Sequence, residues 1–186
     1  MPFPSVFGRI DRAMKEFYEG KPTSVISSGT LNAGVIKTKK LKIASEPTSY
    51  LGLEIILSGE MDAAIEYENG SEGIIDFKTS SPESVLKPPY WRQLATYRYI
   101  REHPDKKQSP KENSSMALLN ICPIEMVRST EGLALIMQDS YLPIEVDRSA
   151  YAEFIKEAVG VLAMPLDRVR GKEDCPFCAM QRALGN

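Results

Sequence analysis

The chain has 186 residues, with 23 Lys plus Arg against 25 Asp plus Glu, a net charge of −2, and 42% apolar residues. That balance belongs to a folded globular chain and excludes disorder as the main state; no run approaches the roughly 20 apolar residues of a membrane-crossing helix. Three cysteines are too few, and of the wrong parity, for a disulfide framework, so a reducing, cytoplasmic compartment is expected, and the opening residues show no basic-then-apolar leader. The near-zero net charge provides no global attraction to nucleic acid, so any such function must rest on local features.

Val6, Phe7, Ile10, Met14 and Phe17 recur at helical spacing, and Gly20-Lys21-Pro22 closes that helix. A β-prone stretch from Ala33 to Ile43 carries Lys37, Lys39, Lys40 and Lys42; on one continuous strand Lys37 and Lys39 share a face. Leu51 to Glu68 reads as a long strand, Asn69-Gly70 as a hairpin turn and Gly73 to Thr79 as the return strand, ended by Ser80-Ser81-Pro82. Pro88-Pro89 opens a helix carried by Tyr90 to Glu102. The polar segment His103 to Ser115 reads as a mobile surface loop. Strands are predicted at Met116 to Ile121 and Gly132 to Gln138, with a third at Leu142 to Val146. Asp147 is placed to cap a last helix whose apolar stripe is Tyr151, Phe154, Ile155, Ala158 and Leu162, and which stops before Pro165. This order predicts one domain over residues 1–186, α/β or α+β, with a mixed sheet flanked by helices. Residues 166–186 form a tail holding Cys175-Pro176-Phe177-Cys178.

The chemistry concentrates between Gly59 and Tyr97. The hairpin allows Asp62, in Gly59-Glu60-Met61-Asp62, to lie beside Asp76, in Ile74-Ile75-Asp76-Phe77-Lys78-Thr79. Residues two apart on a strand face the same way, so Asp76 and Lys78 share a face and Ile75 and Phe77 point to the core behind it. Asp76 is thereby expected to face solvent. Two carboxylates suit Mg²⁺, which takes oxygen ligands and keeps much of its water, and a lysine beside them stabilises negative charge building on a phosphate. An Asp-x-Lys pair standing alone is more often an ordinary surface ion pair.

Gly59-x-x-Asp62, Ile75-Asp76-Phe77-Lys78-Thr79 and Gln93-x-x-x-Tyr97 together resemble the PD-(D/E)XK nuclease superfamily, and are closest to its RecB-like branch, which includes CRISPR-associated exonucleases. The resemblance covers roughly residues 51–100 and implies a restriction-endonuclease-like core, a DNA substrate, and Mg²⁺- or Mn²⁺-dependent hydrolysis, as an exonuclease rather than an endonuclease. It implies that Asp62 and Asp76 ligate the metal with the Phe77 backbone carbonyl, that Lys78 orients the attacking water, and that Gln93 and Tyr97, four apart on one helix face, contact nucleic acid. Lys37 and Lys39 are candidates for holding a phosphate backbone, or else for protecting a sheet edge.

The chain departs from that branch in two places. The branch carries a histidine or glutamate ligand on the helix before the first strand, whereas the one histidine here, His103, follows the motifs in a polar segment, and Glu16 and Glu54 sit in no recognisable motif. Many members of the branch also hold an iron–sulfur cluster on four cysteines, and only Cys122, Cys175 and Cys178 are present, so no complete cluster is expected. Tyr90 and Trp91 are candidates for base stacking or for packing, and Arg168-Val169-Arg170-Gly171-Lys172 is a further basic patch. The competing functional reading is a catalytically weak PD-(D/E)XK module that grips nucleic acid, or a protein partner in a repair or defence complex. No phosphate-binding glycine loop of a motor is present in the sequence.

Overall fold

The computed structural model describes residues 5–26, 31–79 and 88–165. The break expected at Ser80-Ser81-Pro82, the basic patch Arg168 to Lys172 and the pair Cys175 and Cys178 lie outside the described residues. In chain order the elements are helix α1 (Ser5–Tyr18), a 3₁₀ turn (Thr23–Val25), strands β1 (Gly34–Lys37), β2 (Lys42–Ala44), β3 (Thr48–Tyr50), β4 (Leu53–Ile55), β5 (Ser58–Glu60), β6 (Ala63–Tyr67) and β7 (Glu72–Lys78), helix α2 (Pro88–Glu102), strands β8 (Asn113–Ser129) and β9 (Gly132–Pro143), and helix α3 (Arg148–Leu162).

A central mixed sheet has the order β1-β6-β7-β8-β9. β6 is antiparallel to its two neighbours β1 and β7, β7 and β8 run parallel, and β8 and β9 are antiparallel. The parallel step needs a crossover, which α2 supplies. Residue parity separates the two faces. Ile36, Ala63, Ile65, Ile75, Phe77, Leu119 and Ile121 pack with Tyr18 and Met14 of α1. Ala64, Ile74, Met116 and Leu118 pack with Leu94, Tyr97 and Ile100 of α2. β7 therefore has apolar residues on both faces, as a central strand should, and Asp76 and Lys78 fall on the α2 side. α3 docks on α2, with Trp91 against Phe154 at 6.4 Å and Tyr151 against Tyr99 at 6.1 Å. Asp147 caps α3, accepting from Ser149 N at 2.8 Å and Ala150 N at 3.3 Å.

Several predicted elements differ in extent. The stretch Ala33 to Ile43 is two strands, broken at a turn where Lys40 has φ 60. Thr38 leaves the ladder to bind the Glu19 carboxylate, its N–H at 2.6 Å and its hydroxyl at 2.8 Å. Lys37 and Lys39 thus do not share a strand face. Leu51 to Glu68 is three short strands rather than one, because Leu57 and Met61 donate their N–H groups sideways, to Ser45 Oγ at 3.0 Å and to Leu41 O at 3.1 Å. β8 and β9 form one long hairpin, in which the ladder absorbs the third strand expected at Leu142 to Val146 as far as Pro143. The segment after His103 is tied down rather than free, with Asp105 N on Ala44 O and Lys111 N on Arg101 O, both at 2.9 Å.

No helix among the described residues is long and apolar enough to cross a membrane. The far end of α2 is locked to β7 by a two-pronged ion pair, in which Arg101 Nε and Nη2 donate to the Glu72 carboxylate at 2.7 and 2.8 Å. Glu72 is buried. Arg101→Met strands that carboxylate without a partner, and the expected loss of stability, read by urea denaturation, is about 3–5 kcal/mol.

Candidate active site

The last residue pair of the β6–β7 ladder is Ala63 with Ile75, so one step further along the same register brings Asp62 opposite Asp76. Asp62 does not extend the ladder. Its carboxylate takes over as acceptor, with Oδ2 receiving the Phe77 N–H at 3.0 Å. Asp62 Oδ1 meets the Lys15 ammonium at 3.0 Å, and Lys15 also reaches Asp11, one helical turn back, at 3.2 Å. The backbone of Lys15 is fixed by the Thr38 hydroxyl, which donates to its carbonyl at 2.8 Å. Burial works against the Lys15 charge, but Asp62 and then Asp11 outweigh it and raise its pKa. Asp62 therefore stands between the two layers, held from the α1 side by Lys15 and from the sheet by Phe77.

Asp76 lies on the α2 side and is 2% exposed. The solvent-facing position expected for it is instead roofed by Gln93, whose Nε2 donates to Asp76 Oδ1 at 3.0 Å and to the Tyr97 hydroxyl at 2.9 Å. The Gln93 carbonyl accepts from Lys78 Nζ at 3.3 Å. Lys78 pairs with Asp76 Oδ2 and sits 4.7 Å from the centre of the Tyr90 ring. Asp76 Oδ2 has this charge contact but no well-directed hydrogen bond. Tyr97 in turn donates to the Glu60 carbonyl at 2.9 Å. Both Gln93 amide hydrogens and its oxygen are thus committed, which fixes the orientation of the side chain. Burial pushes the Asp76 carboxyl up to about 6; Lys78 opposes that rise and Asp62 adds to it. Access to the cluster runs through Asp62 and Lys78, whose side chains are 23% and 17% exposed.

Gly59 has a steric role. A Cβ there would lie 2.7 Å from Tyr97 Cε1, so only glycine lets the ring lie flat on β5 and reach Glu60. The spacing from Gly59 to Asp62 thus records how closely α2 approaches the strand before the carboxylate.

The structure draws Asp62, Asp76, Lys78, Gln93 and Tyr97 into one cluster; Phe77 joins it through its N–H. Lys37 and Lys39 are not in it. Lys37 faces Glu66 at 3.8 Å, and both lysines line a groove of about 410 Å³ whose wall also includes Lys40, Lys42, Met61, Glu66, Glu72 and Arg101. His103 is exposed at the end of α2 with its ring 4.7 Å from Tyr99, and Glu16 and Glu54 are exposed on α1 and β4. Trp91 packs on Phe154, while Tyr90 cradles Lys78.

Two residues of the cluster's surroundings escape sequence reasoning. Lys15 is one; its helical spacing from Asp11 was legible, but its approach to Asp62 was not. Asn120 is the other: it is the register partner of Lys78 on β8, is 1% exposed, and donates to Cys122 Sγ at 3.3 Å while its own Oδ1 has no partner. A buried asparagine in an apolar run (Leu118-Leu119-Asn120-Ile121) was the available signal.

Among the described residues no group of three or more His, Cys, Asp or Glu forms a ligand set. Two carboxylates and a backbone oxygen suit a cation that keeps several waters and is completed by substrate phosphate, which describes Mg²⁺ better than Zn²⁺. Asp76 Oδ2 and Asp62 Oδ1, each contacted by a lysine ammonium, are carboxylate oxygens that already attract a cation and fit such a ligand.

A mixed sheet between helices, with paired acidic residues and a lysine at the end of adjoining strands, defines the class. The model of the PD-(D/E)XK nuclease superfamily matches residues 8–183, and the chain belongs to that superfamily. The fold is similar to the crystal structure of SSO0001, with TM-score 0.53 and 15% identity over 96% of this chain and 69% of that one. No curated protein matches the chain by sequence.

Two outcomes follow. Gly59→Ala pushes the Tyr97 ring off β5 and is expected to cost about 1–3 kcal/mol in a denaturation experiment. The folded pKa of Asp76 lies above its ordinary value, so the folded state holds that proton longer and stability attributable to Asp76 falls as pH rises from about 4 through about 6. Asp76→Asn removes this term. Its stability relative to the wild type should therefore climb across that window and level off above it, as measured by urea denaturation at a series of pH values.

Proposed function

We propose that the protein is a metal-dependent nuclease of the RecB-like branch that hydrolyses DNA phosphodiester bonds with Mg²⁺ or Mn²⁺. The observation carrying this reading is the convergence of Asp62, Asp76 and Lys78 under a Gln93–Tyr97 pair at one end of the sheet. Asp62, Asp76 and the Phe77 carbonyl are the proposed metal ligands. A divalent ion held there supplies a more acidic water and neutralises charge on the phosphate.

The chain's own side chains do the rest. Lys78 is aimed by Asp76, Gln93 and the Tyr90 face, so its ammonium can donate to the attacking water or to a phosphate oxygen without a costly reorganisation. Gln93, locked by Tyr97, holds Asp76 in place. Lys39 and Lys40, exposed at the β1–β2 turn, line the groove beside Met61 and are suited to hold phosphates of the same strand without reading sequence. The RecB-like resemblance makes exonucleolytic trimming the preferred mode, with a protein partner from a repair or defence complex as part of this reading.

A second reading, a nucleic-acid-gripping module with little or no cleavage, is favoured by one observation: the exposed oxygen of Asp62 is already occupied by an ammonium. A nuclease assay on single-stranded, duplex and flapped DNA with Mg²⁺, Mn²⁺ or chelator separates the two. The catalytic reading requires cleavage that the chelator stops and that a folded Asp76→Asn protein lacks, with Lys78→Met slowed about 10²–10³-fold. Cleavage by the folded Asp76→Asn variant overturns the mechanism, and DNA binding without cleavage under every metal condition supports the second reading.

A further inference from the structure

Four charged side chains stand at the mouth of the cluster, Asp11, Lys15, Asp62 and Lys78, with Asp76 buried beneath them. Lys78 belongs to the strand that carries Asp76. Lys15 comes from the opposite layer and has no place in the motifs that identify the site. Its position is built rather than incidental. Thr38 binds both the Lys15 carbonyl and the Glu19 carboxylate, which clamps the last turn of α1 to the end of β1. From that clamp the lysine stem delivers its ammonium to Asp62 Oδ1, while Asp62 Oδ2 is already engaged by the Phe77 N–H. The contact is partly shielded, with 26% of the Lys15 side chain exposed.

We propose that Lys15 is an internal counter-cation of the metal site, which occupies the open oxygen of Asp62 when no divalent ion is bound and weakens the binding of one. This inference rests on the metal-site reading above and concerns what sets the affinity of that site. A divalent cation approaching Asp62 must share or take the oxygen that Lys15 holds, and the two cations repel at a distance where the surroundings screen them poorly. Asp11 gives the displaced ammonium somewhere to go. It lies 3.2 Å from Lys15 on the same helix face, so the lysine can give up Asp62 by a side-chain rotation while α1 stays clamped. The device matches the donor set: a site with two carboxylates is weak to begin with, and a built-in competitor makes occupancy depend on the additional oxygens of a bound phosphate. The metal is then held firmly only when substrate is present.

The test is calorimetric titration of Mn²⁺ into the full chain without DNA, comparing wild type, Lys15→Met, Lys15→Gln and Lys15→Arg. Both uncharged variants should bind Mn²⁺ roughly tenfold more tightly or better, and Lys15→Arg should bind like the wild type. Lys15→Gln keeps a hydrogen bond to Asp62, so it provides a folded comparison if Lys15→Met is destabilised. In an Asp62→Asn background the gain should disappear. Unchanged or weaker Mn²⁺ binding by a folded Lys15→Gln protein, beside a wild type that does bind, overturns this inference and leaves the metal-site reading standing. Failure of every variant to bind Mn²⁺, even with DNA present, overturns both.

Discussion

The acidic cluster depends on the register of β6 against β7. Pairing ends at Ala63 and Ile75, and the next residue on each strand is an aspartate. Because the ladder stops there, the Phe77 N–H is left without a strand partner and the Asp62 carboxylate replaces one. A single hydrogen bond thus does two things: it satisfies a backbone donor that would otherwise be buried unpaired, and it holds one carboxylate at the end of the sheet next to the other. A slip of one residue would move Asp76 and Lys78 to the α1 side, against Tyr18 and Met14, and would turn Ile75 and Phe77 out of that apolar cluster.

Burying Asp76 is the energetic burden of this arrangement. An ionised carboxylate removed from water is costly unless its oxygens are matched, and here the matching is incomplete: one oxygen has Gln93, the other has only the ammonium of Lys78. Burial is the main cause of the raised pKa, and Lys78 offsets only part of it. Such a group weakens the protein on its own and improves when a cation arrives, which is the usual trade between stability and function at a reactive site. The Gln93–Tyr97–Glu60 chain limits the damage by keeping α2 in one position above the strand.

Much of this was legible in the sequence where local rules dominate. Asn69-Gly70 marked the turn, Gly70 taking φ 83; the alternation Ile75, Asp76, Phe77, Lys78 sorted the two faces of β7; Asp147 capped α3. What escaped reading depended on distant partners. The lysine-rich stretch looked like one strand because nothing nearby shows that Thr38 turns aside to Glu19. The burial of Asp76 could not be read from alternation, which says which face a residue takes but not whether a helix covers it. Lys15 and Asp62 are far apart in the chain, and their meeting depends on how α1 is clamped to β1, a tertiary fact that no spacing encodes.

The two margins of the central sheet are treated differently. Beyond β1, the chain guards its border with Pro22, bridged to Val35, and with the lysines of the following turn. The opposite border, β9, has neither lysine nor arginine along Gly132–Pro143, and its outer half displays Leu133, Leu135 and Ile136. Among the described residues no strand pairs with the outer side of β9, and an edge strand of that length offers its peptide groups as a template to any extended segment that meets it. Crowded solutions of this protein therefore have a ready route to association through main-chain pairing, along the border furthest from β1.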